Sequence, residues 1–468
     1  MGRQIGGAVK RQRIGHPLAL ASVIFIVGGF APAVAQEDAP GGTTLTFGID
    51  SNISVNDNFS LEVTSPGTST ILDTTLSFGY LSQTALSRFS FDIDGVLRIA
   101  DLPGTSSSSG GTRFDDINAS LRYNYEGSNS RFSAIADYSK IDLDFLDPFA
   151  LASIRDVDLT SSGGTRNSRN ARITFDTGIN DPLGFGFELG HEDFSYSNTT
   201  DPGLFGTTTN DYALTSRLRL SPVAEGRVRL SQEDYTADGL TPTNRTTRAL
   251  SFGVAYELSP VTTLDASIGA EEIEEGIGTD RGGFGTVSLT QARVNGSASL
   301  LLDQSFGIEG RRTTLTAARD LALPSGTLAF SFGITNGEQS GTEFVGSLDY
   351  SQTLPRGTLT ASLDRRVDSS ISGNDILTTN AALGYSMALS SVSNLSFDFD
   401  YAEIENDGTG ATSNTNRKLF RAEYTYALTQ NWDLSAGYEH QRLVTGGGGA
   451  ARSNEIFMAL GREFSIRR

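Results

Sequence analysis

Bulky apolar residues alternate with small or polar ones over most of this chain. After the turn at Leu323–Gly326, Leu328, Phe330, Phe332 and Ile334 share one side, while Thr327, Ala329, Ser331, Gly333 and Thr335 share the other. A period of two belongs to a β-strand whose faces meet different surroundings. The unit recurs: Leu321–Phe330 and Ser351–Thr360 are near-copies, each with a Pro-x-Gly turn between alternating segments. A soluble sandwich would bury the bulky side, whereas a membrane barrel would turn it to lipid. The number and spacing of the hairpins must decide between them.

The first strand is read at Thr43–Ser51, with Leu45, Phe47 and Ile49 together, and the second near Thr70–Leu81, with Leu76, Phe78 and Tyr80. In the third, Leu86–Ala100, the apolar face of Phe89, Phe91, Ile93, Leu97 and Ile99 alternates with Arg88, Asp92, Asp94 and Arg98. Such charges argue against a dry interior on the polar side. The connections fall into two classes. Long polar stretches such as Asp101–Thr112, Asp142–Ser168, Ser197–Asn210, Thr236–Arg245 and Glu272–Gly283 alternate with tight turns such as Glu126–Ser130, Ser221–Gly226, Arg293–Gly296 and Leu354–Gly357. That alternation puts all long loops at one end of the sheet and all short turns at the other, as in outer-membrane barrels. The expected fold is all-β: a single transmembrane antiparallel β-barrel of about 22 strands, within roughly 18 to 24, with both termini at the short-turn end. Stacked soluble sandwiches would need linkers and a repeat period that the chain lacks.

The N-terminus agrees with export. Arg3, Lys10, Arg11 and Arg13 form a basic head, Leu18–Phe30 is apolar, and Ala33-Val34-Ala35 precedes Gln36. This reads as a signal peptide over residues 1–35, cleaved between Ala35 and Gln36, with the barrel over 43–464. The apolar run is shorter than the ~20 residues a spanning helix needs. Its removal would move the net charge from −19 to about −23, an acidity that excludes nucleic acid as a partner. With no cysteine there is neither a disulfide nor a thiolate metal site.

The opening Gly48–Phe59, which contains Val55-Asn56-Asp57-Asn58, resembles the start of the beta-barrel porin family of proteobacterial outer-membrane proteins. Members carry a Tyr-Asp-Asp-Asn-like signature there; this chain keeps Asp57 and Asn58 but has Val55 and Asn56 before them. Tyr256–Leu264 and Tyr426–Leu434 resemble that family's recurring turn unit. The resemblance implies a channel-like outer-membrane barrel with no defined substrate or catalytic set.

The candidate chemistry is sparse. Of three histidines, His16 leaves with the signal. His191 shares the face of Leu189, and His440 that of Tyr438, so both belong on the lipid side near the rim, away from any general-base role. No enzymatic activity and no cofactor are expected. Glu271–Glu275 lacks the spacing of a calcium loop, and Gly446–Gly449 lacks the lysine of a phosphate cradle. Two features concern a lumen. Arg172, Arg217, Arg219, Arg227 and Arg229 alternate with apolar neighbours and form a candidate basic wall. It either attracts anionic solutes or pairs with lumenal carboxylates such as Asp176 and Glu233. The longest loop carries Phe145, Leu146, Phe149, Leu151 and Ile154, and apolar residues there predict a loop folded inward to narrow the pore. The expected function is a passive or substrate-biased channel for small hydrophilic solutes. A non-transporting or polymer-export-associated envelope barrel is the alternative. Outer-membrane lipid, lipopolysaccharide and the barrel-insertion machinery are the other expected partners.

Overall fold

The computed structural model describes residues 41–103, 111–145, 163–239, 242–338, 341–369, 375–406, 414–446 and 448–467. The proposed signal segment with Ala35 and Gln36, and loop residues Leu146, Phe149, Leu151 and Ile154, lie outside them. The first strands are β1 (Gly42–Asn56), β2 (Ser69–Gln83), β3 (Ser87–Asp101), β4 (Gly111–Glu126), β5 (Ser130–Asp142), β6 (Thr165–Thr177) and β7 (Leu183–Ser197). Next come β8 (Thr207–Ser221), β9 (Ala224–Ala237), β10 (Thr243–Ser259), β11 (Thr262–Glu275), β12 (Gly278–Arg293), β13 (Gly296–Gly307) and β14 (Gly310–Leu323). The rest are β15 (Gly326–Gly337), β16 (Gly341–Leu354), β17 (Gly357–Ser369), β18 (Asp375–Ser390), β19 (Ser393–Asn406), β20 (Thr415–Ala427), β21 (Trp432–Val444) and β22 (Ala450–Arg467).

Each strand pairs antiparallel with its sequence neighbours, and β22 pairs back onto β1 from Thr44↔Arg467 to Asn56↔Glu455. The result is a closed 22-stranded barrel without an open edge, so every strand finds backbone partners on both sides. The β1–β22 seam is clasped at one end. Asn58 Nδ2 donates to the carbonyls of Glu62 (2.7 Å) and Arg452 (2.8 Å), and both the backbone N–H and Nδ2 of Asn454 donate to Asp57. The Asp57-Asn58 pair that carries the porin resemblance therefore sits where the barrel closes.

The faces are inverted relative to a soluble protein. On β15, Phe332 is 65% exposed, whereas Thr335 on the opposite face is 2% exposed. The same sense holds around the wall, where Phe397, Phe399, Tyr424, Tyr438, Ile456 and Met458 are exposed. Only a hydrocarbon surround makes such an arrangement stable. Phe47 packs near Phe78 (5.2 Å between centroids) midway up the wall, and aromatic rings continue toward the short-turn end, where Tyr80 lies near Phe89 (5.8 Å). These last rings form the interfacial girdle expected of such barrels.

The alternation of long and short connections holds over much of the circumference. It fails between β11 and β12, where the segment Glu272–Gly283 is expected to be a long loop. Both strands instead continue to a two-residue turn at Gly276-Ile277, with Gly276 at φ +58°. The charges that look like loop are strand residues paired across the ladder: Arg248 meets Glu274 at 3.0 Å, and Arg281 meets Glu272 at 2.5 Å. The β13–β14 connection, Ile308-Glu309, is equally tight. One arc of the long-loop rim is thus low.

Candidate functional site

The lumen is the candidate site, and its character changes along its axis. Inward-facing residues at the long-loop end are buried: Ser69 and Ile71 on β2, Arg98 and Ala100 on β3, Tyr235 on β9, Ile273 on β11, Arg417 and Leu419 on β20, Ser453 on β22. Inward positions toward the short-turn end, such as Ser77, Arg88, Asp92, Glu463 and Ser465, are exposed. A closed sheet gives every strand the same inner surface, so the gradient comes from what packs inside the outer half.

Three packed groups are resolved. Arg98 donates to Asp73 (2.8 Å) and lies 2.9 Å from Asp116, whose left-handed backbone (φ 50°) occupies the irregular register of β3 and β4. Above it the ring of Phe145 lies 4.0 Å from the guanidinium, and Phe59 packs 5.3 Å from the same ring. Phe145, one of the candidate constriction residues, therefore points into the barrel mouth from the segment after β5. That segment is held by the Leu143 N–H on the Gly164 carbonyl (2.8 Å) and the Asp142 N–H on Asp116 (2.8 Å). Burial pushes the Asp144 carboxyl above its ordinary pKa, against the pull of Arg113. The second group is Arg312 on β14, paired with Asp375 at the start of β18 and 3.9 Å from Glu309. This pair joins strands four apart in the wall at the long-loop end. In the third, the Arg417 guanidinium reaches Gln441 (3.4 Å), and Arg421 stacks on Phe457 (4.5 Å) while pairing with Glu423 (3.0 Å).

The arginine wall lies lower, on the open half. The five residues face inward together, but each has an acceptor. Glu188 bridges Arg172 (3.4 Å) and Arg229 (3.0 Å), Asp176 meets Arg217 at 3.3 Å, and Asp265 meets Arg227 at 2.5 Å. Arg219 donates to the turn carbonyls of Ile179 (3.3 Å) and Asn180 (3.4 Å). Asp176 is the one partner named from sequence. Glu188 lies on the strand next to Arg172 and two from Arg229, and Asp265 two from Arg227, which only the register reveals. The more exposed of these pairs, those of Arg172, Arg227 and Arg229, contribute little to stability, about 0–1 kcal/mol each, and all of them cancel much of one another's field. His191 and His440 sit on the outward face, bonded to Asn210 (2.8 Å) and Asn454 (2.9 Å), with neither aimed into the lumen.

No protein-family model and no curated protein matches the sequence. Solved structures do match in shape. The FrpB iron transporter from Neisseria meningitidis shares 8% identity at a TM-score of 0.56, covering 91% of this chain and 82% of that one. The copper transporter OprC gives 10% and 0.54, covering 91% and 81%. The ferric-catecholate import receptor Fiu from E. coli K12 gives 10% and 0.55, covering 89% and 81%. The chain is a Gram-negative outer-membrane β-barrel. At such identities the likeness is one of fold. The porin resemblance carried by Asp57 and Asn58 has no matching family model behind it.

Proposed function

We propose that this barrel passes small hydrophilic solutes across the outer membrane through a lumen constricted at its outer end. The observation that carries the reading is the gradient from a wet, charge-paired inner half to a packed outer half. A wall of balanced ion pairs holds water and tolerates ions of either sign. The packed end argues for a narrow or gated passage rather than a wide pore. Its barrier is formed by Phe145 with Arg98 and by Arg312 with Asp375. Membership of the beta-barrel porin family is consistent with this reading and belongs to the same proposal.

Uptake of a metal complex is the second reading, favoured by the named roles of the structural neighbours in copper, iron and ferric-catecholate import. Among the described residues no cluster of three metal-binding side chains occurs, so under this reading metal would travel inside a chelate. Planar-bilayer recording distinguishes the options. Small discrete conductance steps that grow in Phe145→Ala support the constricted channel. No conductance from either protein would favour the non-transporting envelope barrel.

A further inference from the structure

Three cations stand side by side on the outward surface near the long-loop end. Lys418 on β20 is in direct register with Arg442 on β21, and Arg442 with Arg452 on β22. Their outward facing follows from Phe420, Tyr438 and Ile456, exposed residues an even number of positions away on the same three strands. Directly opposed residues in a ladder have Cβ atoms about 5 Å apart, and like charges there repel. Three other outward cations of this rim carry carboxylates: Arg248 with Glu274, Arg281 with Glu272, Arg169 with Asp193. Among the described residues, Lys418, Arg442 and Arg452 have no ion-pair partner. The nearby outward carboxylates Glu403, which accepts from the Tyr401 hydroxyl (2.7 Å), and Asp57, which accepts from Asn454 (2.6 Å), form no ion pair with the three cations. The Lys418 ammonium lies over the Tyr401 ring (5.5 Å), and Arg442 Nε is buried without a hydrogen-bond partner.

Three adjacent cations without an ion-pair partner attract an anion supplied from outside the chain. Below them, past the outward pair His440 and Asn454, runs an exposed apolar column of Phe420, Tyr438, Ile456 and Met458. A ligand that satisfies both must carry negative charge at the rim and acyl chains along the wall. Guanidinium groups match phosphate oxygens in pairs, and three adjacent cations suit the charge of a phosphomonoester. We propose that Lys418, Arg442 and Arg452 form a binding site for the phosphate group of an anionic lipid in the outer leaflet.

The test uses the purified full-length barrel in neutral detergent, with binding read by native mass spectrometry. The probes are a phosphorylated outer-leaflet glycolipid, its dephosphorylated counterpart, and inorganic phosphate. The phosphorylated lipid should bind roughly a hundredfold tighter than the dephosphorylated one, since each cation near an anionic lipid surface contributes about fivefold. The triple variant Lys418→Gln, Arg442→Gln, Arg452→Gln should lose this preference, whereas Arg442→Lys and the paired-site control Arg248→Gln with Arg281→Gln should keep it. Heat-modifiable migration checks folding, and single variants, each losing part of the preference, carry the test if the triple variant misfolds. Equal binding of the two lipids, or a preference unchanged in the variants, would overturn the proposal. So would inorganic phosphate binding as tightly as the lipid, which would assign the site to a free anion.

Discussion

Placing an arginine at Phe332 and, separately, at the adjacent Ser331 separates the two faces of β15 by a single residue. Phe332 is the seventh of twelve strand residues and is 65% exposed, while the Ser331 hydroxyl bonds that of Ser347 at 2.7 Å on the inner face. With ~3.3 Å per residue and a tilt near 40°, Phe332 lies about 15 Å above the inner turn, close to the middle of a ~25 Å apolar belt. Arginine at the lipid-facing midplane costs ~2–4 kcal/mol, against little in a wet lumen. That range corresponds to a roughly thirty- to several-hundred-fold shift in the folding equilibrium. Urea titrations of the variants folding into phosphatidylcholine vesicles, read by heat-modifiable migration, measure it. Phe332→Arg should lower the midpoint well below wild type, and Ser331→Arg only slightly. Equal midpoints for the two would refute the facing assignment on which the whole barrel reading rests.

Arg98→Met should destabilise by about 3 kcal/mol, because Asp73 and Asp116 would keep partly buried charge without their ion-pair partner; the same urea titration checks it. Asn58→Ala removes the seam's bonds to Glu62 and Arg452 and should cost about 2 kcal/mol, seen as a lower temperature for the heat-modifiable transition. Deleting Ile456–Arg468 opens the β1–β22 edge and should abolish insertion, and a normally inserted product would count against closure through this pairing. Glu188→Gln frees two guanidinium groups and should move the reversal potential in a salt gradient toward anion selectivity. Arg217→Ser removes a lumenal positive charge beside Asp176 and should move it the other way; shifts of the same sign would contradict the pairing.

Much of this was legible because barrel strands are local objects. Alternation at Leu328–Ile334 states which residues share a face, and the turn at Leu323–Gly326 states where the strand begins. The turn at Gly276-Ile277 was not legible. The acidic run Glu271–Glu275 has a loop's composition, and its partners Arg248 and Arg281 belong to neighbouring strands whose register the sequence does not reveal. The wall arginines were identified as a group, but Glu188 and Asp265 were not identified as their neutralising partners. Register also hides Lys418, Arg442 and Arg452, which lie ten or more residues apart in the chain and adjacent on the surface. Pairs such as Arg312 with Asp375 join strands four apart in the wall, which no local pattern encodes.

The central claim is a lumen open from the inner side and packed at the outer side, and the absence of native cysteine permits a direct test. Ser69 and Ser77 share the inward face of β2; the first is 2% exposed and the second is exposed. Single Ser→Cys substitutions at each position, in the folded barrel, would be timed against a hydrophilic maleimide. The account predicts rapid labelling at position 77 and labelling slower by orders of magnitude at position 69. Equal rates would mean a lumen open along its whole length and would contradict the constricted channel.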